Sequence, residues 1–185
     1  MTRLAHGRRA VLVAALALTG LAGAAGCGSA QAQTPGAARP GQVSAHDIRW
    51  LDRAHLADEA EVTTGEFAET NANVPAIRAV GATMVHDHSA MDKKLIHLAT
   101  ALKVSLAGSP TVGQVHTADR LSSELGAAFD HDYTASMMTA HEQMIAATEA
   151  EIQDGSSPRV IALARQALPV LEKHLKMVRA VASSG

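Results

Sequence analysis

The stretch PAIRAVGATMVHDHSAMDKKLIHLATAL, residues 75–102, sets Ile77, Val80, Met84, His88, Met91, Leu95, Leu98 and Leu102 at steps of three or four. That period belongs to one face of a helix, so the stretch predicts a long helix packed along one side. Asn73 is read as its cap, with Pro75 in the first turn. On the packed face Met84, His88 and Met91 stand at i, i+4 and i+7, and the same triplet recurs downstream as Met137, His141 and Met144. Two thioethers and an imidazole in line are either core or metal ligands.

Working outward, Ser44 opens an earlier helix with Asp47 as its capping-box partner, and that helix should run to about Asn71. After residues 75–102, Lys103 to Gly113 carries Gly, Ser-Pro and Thr and reads as a loop crossing one end of a bundle. A short helix around Thr117 to Leu125 follows, broken at Gly126. The third long helix covers about Ala127 to Gln153 and stops at Asp154-Gly155. Ser157-Pro158 reads as an N-cap and a first-turn proline, starting a fourth long helix that reaches about Ala182 with Pro169 inside it. No stretch alternates as a strand would. The expected architecture is an all-α four-helix bundle, most simply up-down-up-down, over residues 44–185.

The residues before 44 read differently. Arg3, Arg8 and Arg9 precede an apolar run from Ala10 to Leu21, too short for a permanent span, and small residues follow. This is the pattern of an export signal over residues 1–26. The single cysteine, Cys27, follows Ala24-Ala25-Gly26 and resembles the lipidation site of bacterial lipoproteins, which makes it an anchor to the membrane's outer face. Ala30-Gln31-Ala32 offers an alternative cleavage site and a secreted product. Residues 28–43, rich in Ala, Gly, Gln and Pro, read as a tether. With one cysteine there is no disulfide within the chain, so the domain must stand on its core.

The formal charge is −2, with 16 Lys and Arg against 18 Asp and Glu, and removing the three signal arginines leaves a more acidic remainder. Such a surface repels nucleic acid, and with one Trp, one Tyr and two Phe there are no stacking platforms for bases.

Four ligand-type residues interrupt the core-facing stripes, one per helix: Glu61, His88, His141 and His174. At ~1.5 Å per residue Glu61, His88 and His141 fall at one height, while His174 comes out nearer the lower end of its helix. Gly65 and Gly81 beside them are expected to leave room for these longer groups. Asp87, Asp130 and Tyr133 are placed to orient the imidazoles, since a ligating histidine usually donates its other N–H to a carboxylate or carbonyl. Met84, Met91, Met137 and Met144 line the same level. Soft sulfur with imidazole suits copper, above all Cu(I), whereas one carboxylate with three imidazoles suits zinc, iron or Cu(II). Against this stands a bland alternative, with methionines as core filler and histidines as hydrogen-bonded struts. His46, His55, His86, His97, His116 and His131 fall on other faces or in loops and are expected to be solvated.

At these residues the chain resembles a bacterial family known as domain of unknown function 4142. The matching segments are Glu61-Val62, Met84 to Ser89, Gly126 to Asp130 with Tyr133, Met137 to Glu142, and Leu168-Pro169-Val170-Leu171 leading to His174-Leu175, and the likeness spans about Ile48 to Val181. It implies an exported bundle with a ferritin-like fold, of a kind usually described as membrane or outer-membrane protein, with no assigned reaction. The chain departs from the family's usual Lys-Gly and Leu-Pro loop pattern at Lys103 to Ala107, and Met91 and Met144 lie outside the family motif. A more distant likeness, resting on spacing alone, is to exported ferritin-like proteins rich in His and Met that handle copper.

Enzymatic signatures are missing. The di-iron pattern needs Glu-x-x-His on two helices, and Asp52-x-x-His55 is a single look-alike. His141-Glu142 starts a zincin-like string, but Ile145 stands where the second histidine belongs. The sequence therefore points to a non-enzymatic metal-binding envelope protein. A structural module that docks another envelope protein is the alternative, and a redox enzyme is the remotest reading.

Overall fold

The structure, a computed structural model, describes residues 42–183. The expected export signal, Cys27 and the expected tether up to Gly41 lie outside the described residues. Among the described residues five helices follow one another: α1 (Ala45–Asn71), α2 (Pro75–Leu102), α3 (Val112–Ser123), α4 (Gly126–Asp154) and α5 (Pro158–Ala182). Among the described residues there is no strand, and no helix is long and apolar enough to cross a membrane. The chain is an all-α helical bundle.

Local signals set most of the helix ends. Ser44 and Asp47 form the expected capping box, the Ser44 hydroxyl accepting from the Asp47 amide at 3.2 Å and the Asp47 carboxylate accepting from the Ser44 amide at 2.5 Å. The start of α2 differs from expectation. Its cap residue is Val74, and the amides of Asn73 and Val74 donate instead to the Asp130 carboxylate on α4, at 3.0 and 3.1 Å. Helix α3 starts earlier than expected, because Thr111 and Gln114 make a second capping box ahead of Thr117. Gly126, at φ 64°, takes the left-handed conformation that a side chain would resist and opens α4. Helix α5 continues through Pro169, and Ser157 makes no side-chain cap.

The helix directions correct the up-down-up-down expectation. Down the length of α4, Gly126 bridges Ala72, Met137 meets Thr64, and Thr148 accepts from the Trp50 indole at 3.2 Å, so α4 runs antiparallel to α1. Helix α2 is also antiparallel to α1, so the order is up-down-down-up. The connection that makes this possible is the segment from Lys103 through α3. Its Ala107 amide is held by Asp52 at 2.8 Å, Gln114 donates to the Leu56 carbonyl at 2.8 Å and Asn71 to the Leu121 carbonyl at 3.3 Å. It climbs alongside α1 instead of crossing one end. One long crossover is the hallmark of ferritin-like bundles.

Two apolar clusters fill the interior. One, toward the start of α1, gathers Trp50, Leu51, Leu95, Leu98, Met144, Val160 and Leu171; the other gathers Ala68, Ile77, Val80, Met84, Phe129, Tyr133, Met137 and Val178. The polar residues singled out in the sequence lie between them.

Gly65 and Gly81 serve a different purpose from the one expected. A Cβ on Gly81 would stand 2.7 Å from both the Ala68 Cβ and the Gly65 carbonyl, and one on Gly65 would stand 2.9 Å from the Gly81 carbonyl. The two backbones touch, so the space is taken by main chain and not by polar side chains. Gly81→Ala must push α1 and α2 apart, and chemical denaturation should show a loss of about 1–3 kcal/mol, the usual cost of overpacking.

At the other end of α1, Asp47 and Glu151 are both buried. Asp47 accepts from the Ser156 and Ser157 amides at 3.0 and 3.1 Å, tying the α4–α5 turn to the start of α1. Burial works against the Asp47 carboxylate, but hydrogen bonds from Ser44 and Ser157 outweigh it and hold its pKa at about 2. Glu151 lies against Asp47, with the His46 Nε2 at 3.3 Å; burial and the Asp47 charge push it up to about 8. A carboxyl raised in the folded state favours folding while protonated, so its contribution is complete below pH 4.5 and is lost as pH rises to about 8. The denaturation midpoint should therefore fall across that window, and Glu151→Gln, which keeps the protonated shape, should flatten the fall.

Candidate metal centre

The α1–α2 seam brings the first half of the centre together. Helix α2 carries His88 against α1, where Asp58 Oδ1 accepts from its Nδ1 at 2.7 Å and Glu61 Oε2 lies 2.9 Å from its Nε2. The α4–α5 pair supplies the rest. His141 Nδ1 donates to the Met137 carbonyl one turn back at 2.9 Å, and its Nε2 lies 3.4 Å from Glu61 Oε2. His174 Nε2 donates to Asp87 Oδ2 at 2.9 Å, while its Nδ1 faces His88 Nε2 at 3.2 Å. The three ring centroids stand 5.1 to 5.7 Å apart. One ligand nitrogen from each of His88, His141 and His174 lies within 4.8 Å of the others.

Each imidazole thus has an outer nitrogen occupied by an acceptor. Asp58, the Met137 carbonyl and Asp87 take those three N–H groups, which turns the second nitrogen of each ring inward. Once an ion displaces the proton that His88 holds toward Glu61, this arrangement presents imidazole lone pairs to it. Glu61 is 2% exposed, and neither of its oxygens has a properly aligned hydrogen bond, nor does His141 Nε2. Buried polar atoms without such partners are rare and costly.

The charges are balanced by proximity. Burial opposes a charged His88, but the Glu61 and Asp58 carboxylates override it and hold its pKa up at about 10. Burial would raise Glu61, yet the facing His88 and His141 bring it below the usual carboxylate range. Asp58 is pushed up to about 6 by burial, against the pull of His88. Asp87, more open to water, is held at about 2 chiefly by its bond to His174. Burial lowers His174.

The sequence brought Glu61, His88 and His141 to one level, and the structure places His174 with them. His174 stands higher than expected because α5 runs upward: both His174 and Glu61 lie roughly 24 Å along rising helices. Asp87 orients an imidazole as anticipated. Asp130 does not, since it caps α2. Tyr133 does not either: it stacks on Phe129 at 5.4 Å, its hydroxyl is buried without a hydrogen-bond partner, and burial and the Glu61 charge raise its pKa. Met84 and Met137 belong to one apolar cluster, and Met144 with half-buried Met91 to the other. Among the described residues the ring nitrogens meet oxygens and one another, and no sulfur. Asp58 was missed, though its place one turn before Glu61 on the same face was a usable signal. His55 corrects the surface expectation: it is buried, with its Nδ1 2.6 Å from Asp92.

The fold and the site define a helical bundle with a buried histidine-carboxylate layer drawn from all four long helices. The chain belongs to the family described as domain of unknown function (DUF4142), which matches residues 32–181. No curated protein matches it in sequence. In fold it is similar to the DUF305 fragment from Deinococcus radiodurans, at 9% identity and a TM-score of 0.70 over 78% of this chain and 99% of that one. It is also similar to CopM in the Cu(II)-bound form, at 12% identity and a TM-score of 0.60 over 75% of this chain and 96% of that one.

Removing His88 leaves the Asp58 and Glu61 carboxyls buried without their shared partner. His88→Ala should cost about 3–5 kcal/mol in urea denaturation, the range for breaking a buried pair. Adding Asp58→Asn and Glu61→Gln to that variant should restore part of the loss.

Proposed function

We propose that the protein is a non-enzymatic transition-metal binder of the bacterial cell envelope, exported and anchored by a lipid on Cys27. One ion is held by His88, His141 and His174, with Glu61 as the fourth donor. The observation that carries this reading is the orientation of the layer: every outer imidazole nitrogen is tied down, and the inner nitrogens converge on a carboxylate whose oxygens lack aligned partners. Ligand nitrogens of a tetrahedral ion stand roughly 3.3 Å apart, given metal–nitrogen bonds of about 2.0–2.1 Å, so the spacing of these rings needs only small side-chain shifts.

Three imidazoles and a carboxylate suit Cu(II), zinc or iron. The likeness in fold to CopM, whose structure is a Cu(II)-bound form, makes copper the first metal to try. Cu(I) would call on Met84, Met91, Met137 and Met144, which flank the layer in the apolar clusters. A second reading is favoured by the Asp58–His88–Glu61 contacts, which already neutralise much of the layer. In that reading the network only fixes helix register, and the protein acts as a docking module for another envelope protein.

Elemental analysis separates the two. After challenge with Cu2+, Zn2+ or Fe2+ and desalting, the full chain should retain about one ion, by the ligand count of a single centre. The His88→Ala, His141→Ala double variant should retain none. A wild-type chain that stays metal-free under all three overturns the metal reading and leaves the register role.

A further inference from the structure

The donor residues of the centre are all buried, which raises the question of how an ion arrives. Of the four, Glu61 alone lines a surface cleft, about 1140 Å³ in volume and bounded by α1, α3 and α4. Its walls beside Glu61 are small: Ala57, Ala60 and Thr64 on α1, and Ala140 and Ala147 on α4. Met137 and Met144, one turn to either side of His141, line the same cleft.

The residues that orient two of the rings cover their outer nitrogens. Asp87 sits on the outer nitrogen of His174, and Asp58 on that of His88. The cavity that touches His88 beside α5 holds only about 50 Å³. Over the cleft, α3 forms a roof held by the Gln114 bond to the Leu56 carbonyl on one side. On the other side Arg120 pairs with Asp132 and donates to Ser136 at 3.1 Å, and its charge is further offset by Glu124 at 3.6 Å.

We propose that the cleft between α1 and α4 beneath α3 is the route by which a transition-metal cation reaches the centre. Glu61 is the first charged donor of the centre that the cation meets, and Met137 and Met144 are thioether contacts along the way. The inference rests on the metal reading above. Its physical basis is that Glu61 lines the open space while only 2% exposed, its two carboxylate oxygens buried and without aligned hydrogen bonds. A carboxylate at the low-dielectric end of a cleft attracts a cation far more strongly than one in open water. Soft sulfur can hold a partly dehydrated ion between water and imidazole.

The route can be obstructed without touching a ligand. Ala60→Leu narrows the α1 wall, and Thr117→Trp, on the partly exposed inner side of α3, fills the space from the roof. Co2+ uptake by the full chain can be followed by stopped flow through its visible absorption, and release by transfer to a chelator. Either plug should slow both uptake and release by ~10-fold, leaving the equilibrium affinity within about twofold, because a raised barrier acts equally in both directions. Gln114→Ala, which frees one edge of the roof, should speed both. Wild-type rates in plugged variants that keep the wild-type circular dichroism overturn the route while the metal reading stands. A wild-type chain that takes up no Co2+ overturns the metal reading for this ion and the route with it.

Discussion

The contact between Gly65 and Gly81 governs how the rest of the molecule can be arranged. With no side chain at either position, the backbones of α1 and α2 meet within van der Waals distance. That proximity sets Asp58 and Glu61 on either side of the His88 ring, which bonds Asp58 and lies against Glu61 without lengthening either side chain. A bulkier seam would leave three ionisable groups buried and apart, each bearing its own desolvation cost. The opposite seam is built on a different rule. Between α1 and α4 small residues leave a cleft, so one side of α1 is closed by contact and the other stays open.

Much of the fold was legible because its signals are local. The step-of-three-and-four pattern gives the helices, and Ser44 with Asp47 marks a start three residues long. Thr111 with Gln114 is an equally local signal, hidden by the loop-like composition around it. The cap of α2 was not legible: Asp130 serves it from 57 residues away, and Asn73 in sequence looks like a better candidate. Helix direction was not legible either, since periodicity reads the same upward and downward. Glu61, His88 and His141 lie near the middles of their helices, so their common height survives a reversal of direction. His174 was the one misjudged, because its height was measured from the wrong end.

The same distinction between local and distant partners explains the histidines. His86, His97, His116 and His131 are exposed, as their positions off the packed faces suggest. His55 was misread because Asp92, its partner, is supplied by α2. The thioethers show how far spacing can carry: it places all four methionines on the packed faces, where they are at least partly buried. It does not say whether a sulfur faces a ring or another apolar side chain. In this arrangement Met84 and Met137 close the layer from one side and Met144 from the other.

The crossover through α3 gives the chain two helical hairpins, α1 with α2 and α4 with α5. Each hairpin brings half of the polar layer: Glu61 and His88 from the first, His141 and His174 from the second. Neither half is complete in isolation, so the layer works as a key cut across two pieces. If one hairpin slides along the other by a single helical turn, roughly 5.4 Å, the imidazoles move against an apolar cluster and both halves lose their partners together. The apolar clusters favour docking in general, and the polar layer selects the one alignment in which docking is complete.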